Sequence, residues 1–339
     1  MSRRAAILIA GVGSIGERHL RCFIASGRAD VSFCDVNASL SRRIAEQYAG
    51  AQSFDSFDSA LAAKPDAVVI CTPAHLHVAM ALTAARAGAH LLIEKPLSTK
   101  LDGVAALQQE IIQRQRIAAV AYVYRAHPAL AAMREAIQGG RFGKPVQIVA
   151  TFGQHFPFYR PAYRETYYRN HATGGGAVQD ALTHVINAGE WLVGPVDRLV
   201  ADAAHQVLDG VNVEDTVHVL TRHGEVLGDF SLNQHQAPNE GTLTVICERG
   251  TARFEYHNAR WRWTTEPGGD WHDEPVGSLE RDTLFIRQAG AFLASIAGLN
   301  PPLCTLAEAT QTLRVNLAIL ASVEQQSWQT IPTREAAHA

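Results

Sequence analysis

The chain has 339 residues, of which 47% are hydrophobic and 19% charged, with a formal net charge of −3. This composition suits a globular protein of two domains at the usual length of about 150 residues each. The charge balance lacks the basic excess that neutralises phosphates and argues against a nucleic-acid partner, and no apolar run reaches the roughly 20 residues that span a membrane. The five cysteines are an odd number and never form CxxC, which argues against a disulfide framework or a cysteine metal site and makes a reducing cytoplasm the expected location. The start "MSRRAAILIAGVGS" imitates a secretion signal, but its apolar run is short and feeds directly into a glycine turn.

In chain order, "AAILIAGVGSIGERHLRCFIAS" reads as strand, turn and helix, with Ile15, Leu20, Phe23 and Ile24 near helical spacing. Strands follow at "VSFCDV", "DAVVICTP", "HLLIEKP" and "IAAVAYVY", separated by the amphipathic segments "ASLSRRIAEQYA", "HLHVAMALTAARAG" and "DGVAALQQEIIQRQ". Continuous apolar strands alternating with helices predict a parallel sheet covered on both faces, an α/β Rossmann domain over residues 1–123. Beyond it, "KPVQIVATF", "RLVADAAHQVL", "EDTVHVLTRHG", "EVLGDFSLNQH", "TLTVICE", "TARFEYH" and "ARWRWTT" are strands joined mostly by short polar turns. They predict an α+β domain over 124–332 with a large, mostly antiparallel open sheet, and helices near 128–139, 176–193, 282–297 and 305–326. Residues 333–339 read as a frayed tail.

Gly11, Gly13 and Gly16 form a GxGxxG turn between the first strand and helix, and Asp35 closes the second strand. In that context Gly11 permits the tight turn, Gly13 lets the backbone approach a pyrophosphate, and Gly16 lets the helix pack on the sheet. Ser14 and Ile15 bring their N–H groups to the same phosphates at the helix start. Asp35 accepts hydrogen bonds from the adenosine ribose and repels an added phosphate, so NAD is favoured over NADP. Arg42 and Arg43 read as solvated helix charges. Thr72 and Pro73, in "CTPAHLH", fall at the end of another strand, where open α/β sheets place ligands. The expected cofactor set also takes in His77, although His75 and His77 are expected to be exposed and, at i, i+2, cannot share a metal; no metal is expected. Glu94 and Lys95 end a further strand at the same edge, with Pro96 behind them. There Lys95 can donate to a substrate oxygen, Glu94 can orient or balance it, and both border the cofactor.

"GVGSIGERHL", "CTPAHLH" and above all "EKP", with "YRAHPALAAMREAIQGGRFGKPVQI" and "GGGAVQDALTHVINAGEWLVG", resemble the Gfo/Idh/MocA family of NAD(P)-dependent sugar and inositol oxidoreductases over nearly the whole chain. The resemblance implies hydride transfer from a secondary alcohol. It also implies a site in which lysine, aspartate and histidine divide the proton and charge handling, with some variation over whether lysine or histidine takes the proton.

The residues support this independently. Asp180 and His184 lie four apart on a predicted helix and share one face, just after Gly174, Gly175 and Gly176. An imidazole with an ordinary pKa of about 6.5 suits proton exchange near neutrality, so His184 is the expected base. Asp180 holds a substrate hydroxyl, and Lys95 stabilises developing negative charge. The segment "FPFYRPAYRETYYRN" is crowded with Tyr and Arg, which suit a polyhydroxylated or anionic ligand. From it Arg164 and Tyr168 are the expected substrate contacts, with Tyr124 and Arg125 adding to Asp180 and His184, and Asn187 and His155 as weaker candidates. Trp261 and Trp263 point to one side of a strand, where they mark either core or a subunit interface. A homodimer or homotetramer through the second-domain sheet is expected, as is common in the resembled family. Two further classes stay open at this point: an NAD-dependent glycoside hydrolase working by transient oxidation, and a non-catalytic NAD sensor.

Overall fold

The computed structural model describes residues 3–332. They fall into two compact units, one containing the chain up to Ala126 together with Leu279–Thr310, the other His127–Ser278 together with the chain from Gln311. The first unit contains β1 (Ala5–Ala10), α1 (Ser14–Ala25), β2 (Ala29–Cys34), α2 (Ala38–Gln47), β3 (Gln52–Phe54) and α3 (Phe57–Ala62). It continues with β4 (Ala67–Ile70), α4 (His77–Arg86), β5 (His90–Ile93), α5 (Val104–Gln113) and β6 (Ala118–Val120). The six strands lie in the order β3-β2-β1-β4-β5-β6 and every pair is parallel. This is the doubly wound arrangement, with its topological switch point beside β1. Ile7, Leu8, Ile9 and Ala10 of β1 and all four residues of β4 are wholly buried, which is why these strands read as unbroken apolar runs.

The chain then forms α6 (Pro128–Gln138), β7 (Pro145–Gly153), α7 (Phe156–Tyr159), α8 (Thr183–Val193), β8 (Arg198–Ala204), β9 (Thr216–His223) and β10 (Val226–Asn233). After these come β11 (Glu240–Cys247), β12 (Gly250–Glu255), β13 (Arg260–Thr264), β14 (His272–Pro275), α9 (Thr283–Ile296), α10 (Leu306–Gln325) and β15 (Gln329–Thr330). Nine strands make a second sheet, β14-β13-β12-β11-β7-β10-β9-β8-β15, antiparallel except where β7 meets β10. Burial alternates strictly along β9 and β10, so one face is packed and the other open. On the packed face α8 lies so close to β10 that a Cβ built on Gly189 would stand 2.7 Å from the Phe230 ring.

Helix α9 belongs to the first unit and shares its core, where Ala289, Phe292 and Leu293 pack with Ile7, Leu20 and Phe23. Its N-cap, Asp282, is gripped by α1: Arg18 Nε donates at 2.8 Å and Arg21 Nε at 2.6 Å. The two guanidiniums hold the Asp282 carboxyl far below the ordinary carboxylate range, Arg21 contributing most. All five cysteines are buried, and burial pushes the Cys22, Cys34 and Cys247 thiols up to about 11. Among the described residues no helix is long and apolar enough to cross a membrane. The tail at 333–339 lies outside the described residues.

Candidate active site

The carboxyl edge of the first sheet gathers the sequence motifs into one row. Cys34, Ala10, Ile70 and Ile93 are in register across β2, β1, β4 and β5, so the residues that follow them emerge side by side. Backbone bonds continue the ladder past the strand ends, from Gly11 N to Cys34 O at 2.9 Å, Cys71 N to Ala10 O at 2.8 Å and Glu94 N to Ile70 O at 2.9 Å. Gly11 takes φ = 86°, and a Cβ there would meet the Cys71 carbonyl at 3.1 Å. At Gly16 a Cβ would lie 1.8 Å from the Gly11 carbonyl oxygen, so only glycine lets α1 start against its own turn.

Gly13 differs: a Cβ there would meet nothing within 4 Å, and as N-cap of α1 it brings no side-chain acceptor to the helix start. Open space before N–H groups that no cap satisfies is what a pyrophosphate requires. Ser14 is exposed and Ile15 half-buried beside it. Asp35 accepts from Val12 N and from Asn37 N, each at 2.8 Å, so its carboxylate ties the glycine turn to the end of β2. Arg42 and Arg43 are exposed, as the sequence suggests.

Glu94 and Lys95 occupy different environments. Glu94 is buried, its Oε1 2.6 Å from His19 Nε2 and its Oε2 accepting from Lys95 N at 3.0 Å. Burial raises the Glu94 carboxyl's pKa, but the bond and charge of His19 with the charge and N–H of Lys95 more than reverse this, leaving it below the ordinary value. Glu94 therefore bonds to α1 and to the Lys95 backbone, which fixes the segment from which the half-buried Lys95 side chain projects. The Lys95–Pro96 bond is cis. His77 corrects an expectation: it is buried, not exposed, with Nε2 2.7 Å from Thr72 O and Nδ1 3.0 Å from Pro96 O. It lies between the turn after β4 and the turn after β5; burial lowers its pKa despite both carbonyls, and the neutral ring has one N–H to donate to one of them. His75 is exposed; Thr72 is half-buried, its hydroxyl directed at Met80 Sδ, and Pro73 is exposed.

In the second unit residues 176–193 are helical, but the first part departs from the uniform α-helix expected: Val178–Leu182 is a π-turn leading into α8. Asp180 sits within that turn and His184 just after it, both half-buried. Turns of this kind recur at functional sites because they re-aim side chains. Glu214 sets the helix start: its carbonyl accepts from Ala177 N and its Oε1 from Val178 N, both at 2.9 Å, while Oε2 lies 2.5 Å from His171 Nε2. A Cβ on Gly176 would collide with that carboxylate at 2.5 Å. The far side of the helix is held by polar contacts to α10, from Asn187 Nδ2 to Thr312 Oγ1 at 2.9 Å and from Asn316 Nδ2 to Thr183 Oγ1 at 2.8 Å. These flank His184 and fix the direction of its backbone.

Residues 5–122 match the family model described as an oxidoreductase family with an NAD-binding Rossmann fold, and residues 130–253 match the Gfo/Idh/MocA C-terminal domain. The chain belongs to the Gfo/Idh/MocA family. Its first unit is an NAD-binding Rossmann domain, and the glycine turn and Gly13 opening fit that cofactor. Levoglucosan dehydrogenase of Pseudarthrobacter phenanthrenivorans is 26% identical over 78% of this chain and 80% of its own. UDP-N-acetylglucosamine 3-dehydrogenase of Acidithiobacillus ferrooxidans is 27% identical over 93% of this chain and 96% of its own. The fold is shared with a solved levoglucosan dehydrogenase in complex with NADH and levoglucosan, at a TM-score of 0.89 and 21% identity over 98% of this chain and 100% of that one.

The other candidate contacts of this Gfo/Idh/MocA chain are placed variously. Tyr168 is buried in an aromatic cluster with Phe156 and Tyr163, and its hydroxyl bonds to Gln234. Arg164 is exposed, its Nε donating to Asp209 O at 2.9 Å and its guanidinium over the Tyr163 ring. Arg125 is buried, with Nη1 on Leu303 O at 3.0 Å and Glu308 Oε1 at 2.5 Å; Tyr124, beside it, is half-buried. Asn187 faces α10, and His155 is half-buried. Trp261 is core, and Trp263 is half-buried between His272 and Arg141. His19, His171 and Glu214 escaped the sequence reading. Only His19 carried a signal, as a polar residue on the inward face of an otherwise apolar helix stripe.

Proposed function

We propose that this oxidoreductase oxidises a ring secondary hydroxyl of a sugar, cyclitol or sugar derivative, with Lys95, Asp180 and His184 carrying the chemistry. The observation that carries the reading is the place of Lys95: it follows β5 in the row that holds the dinucleotide turn and Asp35, on a segment fixed by Glu94 and His19. The named relatives add the substrate class, since levoglucosan, UDP-N-acetylglucosamine and inositol are all polyhydroxylated rings. NAD, when bound, supplies the hydride acceptor. The residues manage proton and charge. His184 takes the hydroxyl proton, the Lys95 ammonium stabilises negative charge growing on that oxygen, and Asp180 holds a substrate hydroxyl in place. Asp35 favours NAD over NADP by hydrogen bonding to the ribose and by charge.

The test is NADH formation with a panel of inositols, aldoses, uronates and sugar nucleotides, each with NAD and with NADP. Lys95→Ala is expected to lower turnover on the best substrate by at least about a hundredfold while NADH binding persists. Undiminished turnover in that variant would overturn the assignment. Self-association through the open face of the second sheet is part of the same reading, supported by the exposed Leu220 and Leu227 on β9 and β10. Leu220→Lys with Leu227→Lys should shift the sedimentation coefficient to that of a monomer, and an unchanged coefficient would refute that interface.

A further inference from the structure

The tyrosine pair before the glycine run divides its labour in a way the sequence does not announce. Tyr168 turns inward, with 1% exposure, and anchors the segment in the aromatic cluster. Tyr167 is 46% exposed and turns the other way, its hydroxyl donating to Asp180 Oδ1 at 2.7 Å. Two features hold that reach. A Cβ on Gly175 would lie 2.0 Å from Tyr168 O and 2.7 Å from Tyr167 O, so only glycine lets this backbone lie against the run that starts the helix. The Thr173 hydroxyl donates to Tyr167 O at 2.7 Å, closing the segment on itself, and Gln179 Nε2 donates to His171 O at 3.0 Å, tying it to the π-turn.

We infer that Tyr167 is a positioning residue for the reaction, its phenol fixing the Asp180 carboxylate in the orientation that receives the substrate hydroxyl. The inference rests on the reading of Asp180 given above. A charge-assisted hydrogen bond to a side-chain carboxylate narrows the rotamers it can adopt. The donor also favours the ionised carboxylate, the form that can accept from a substrate hydroxyl. Tyr167 supplies this from a neighbouring segment, so the geometry of Asp180 is set by the loop that also carries Arg164.

Tyr167→Phe keeps the ring and removes only the donor. Steady-state kinetics on the best panel substrate should show kcat/KM reduced about tenfold, as expected for one charge-assisted bond. The loss should fall mainly on kcat, with KM for NAD unchanged. Tyr163→Phe, which removes the phenol bonded to Asp209 O in the same segment, controls for local loosening and should lower Tm while leaving kcat near the parental value. A Tyr167→Phe enzyme with parental kcat and kcat/KM would overturn the inference while leaving the proposed function standing. A parent protein that reduces NAD with no member of the panel would overturn both.

Discussion

Asp35 is the residue whose replacement separates structure from coenzyme choice. Its Oδ2 accepts from Val12 N and its Oδ1 from Asn37 N. Val12 is 1% exposed, so its N–H has no water to turn to, whereas the exposed Asn37 can be served by solvent. Asp35→Ala thus strands one buried donor, a loss of about 1–3 kcal/mol. Asp35→Asn keeps an oxygen for that donor and removes only the charge, so its stability should change much less. On the coenzyme side, a carboxylate bonded to the ribose hydroxyls contributes about 1.5–3 kcal/mol, or roughly ten- to a hundredfold in Kd. In the proposed role of Asp35, the same charge repels the added phosphate of NADP. Fluorescence titration with NADH and NADPH, together with thermal melts, should show both variants with at least about tenfold weaker NADH binding and a preference moved toward NADPH. Only the Ala variant should melt markedly earlier. Unchanged coenzyme preference in both variants would refute the reasoning and leave Asp35 as a brace for the glycine turn.

Two further predictions concern ion pairs. The Glu214 carboxylate raises the His171 pKa above its ordinary value of 6.5, so the stability from this pair is fully present below that value and is lost as pH rises through the folded one. The Tm gap between parent and His171→Gln should therefore narrow from about pH 6 to about pH 9, and a constant gap would count against a charged pair. At Asp282 the sign is reversed: its depressed pKa gives stability present above the unfolded value of 3.8 and lost as pH falls through the folded one. Asp282→Asn should cost about 1–3 kcal/mol in urea unfolding at neutral pH, with the difference shrinking in acid; an equal loss at all pH values would show that charge is not what holds α9 to α1.

Much of this protein was legible in the chain because the relevant signals are local. The GxGxxG turn, the unbroken apolar strands of the first sheet and the alternation along β9 and β10 follow from glycine's conformational freedom and from periodicity, which a few consecutive residues reveal. The helix over 176–193 was legible for the same reason, although the π-turn that holds Asp180 was not. β14 escaped because all four of its residues are exposed, leaving no buried face to create a pattern. Only the tertiary structure decided the partners. Glu94 meets His19 across 75 residues, Glu214 meets His171 across 43, and α9 returns to the first unit after more than a hundred residues spent in the second. The division between Tyr167 and Tyr168 likewise depends on Gly175 approaching their backbone. Backbone preference is a property of neighbours in sequence, whereas burial and hydrogen-bond pairing are properties of neighbours in space. Most of the elements could therefore be read from the chain, but the side-chain contacts that aim its polar groups could not.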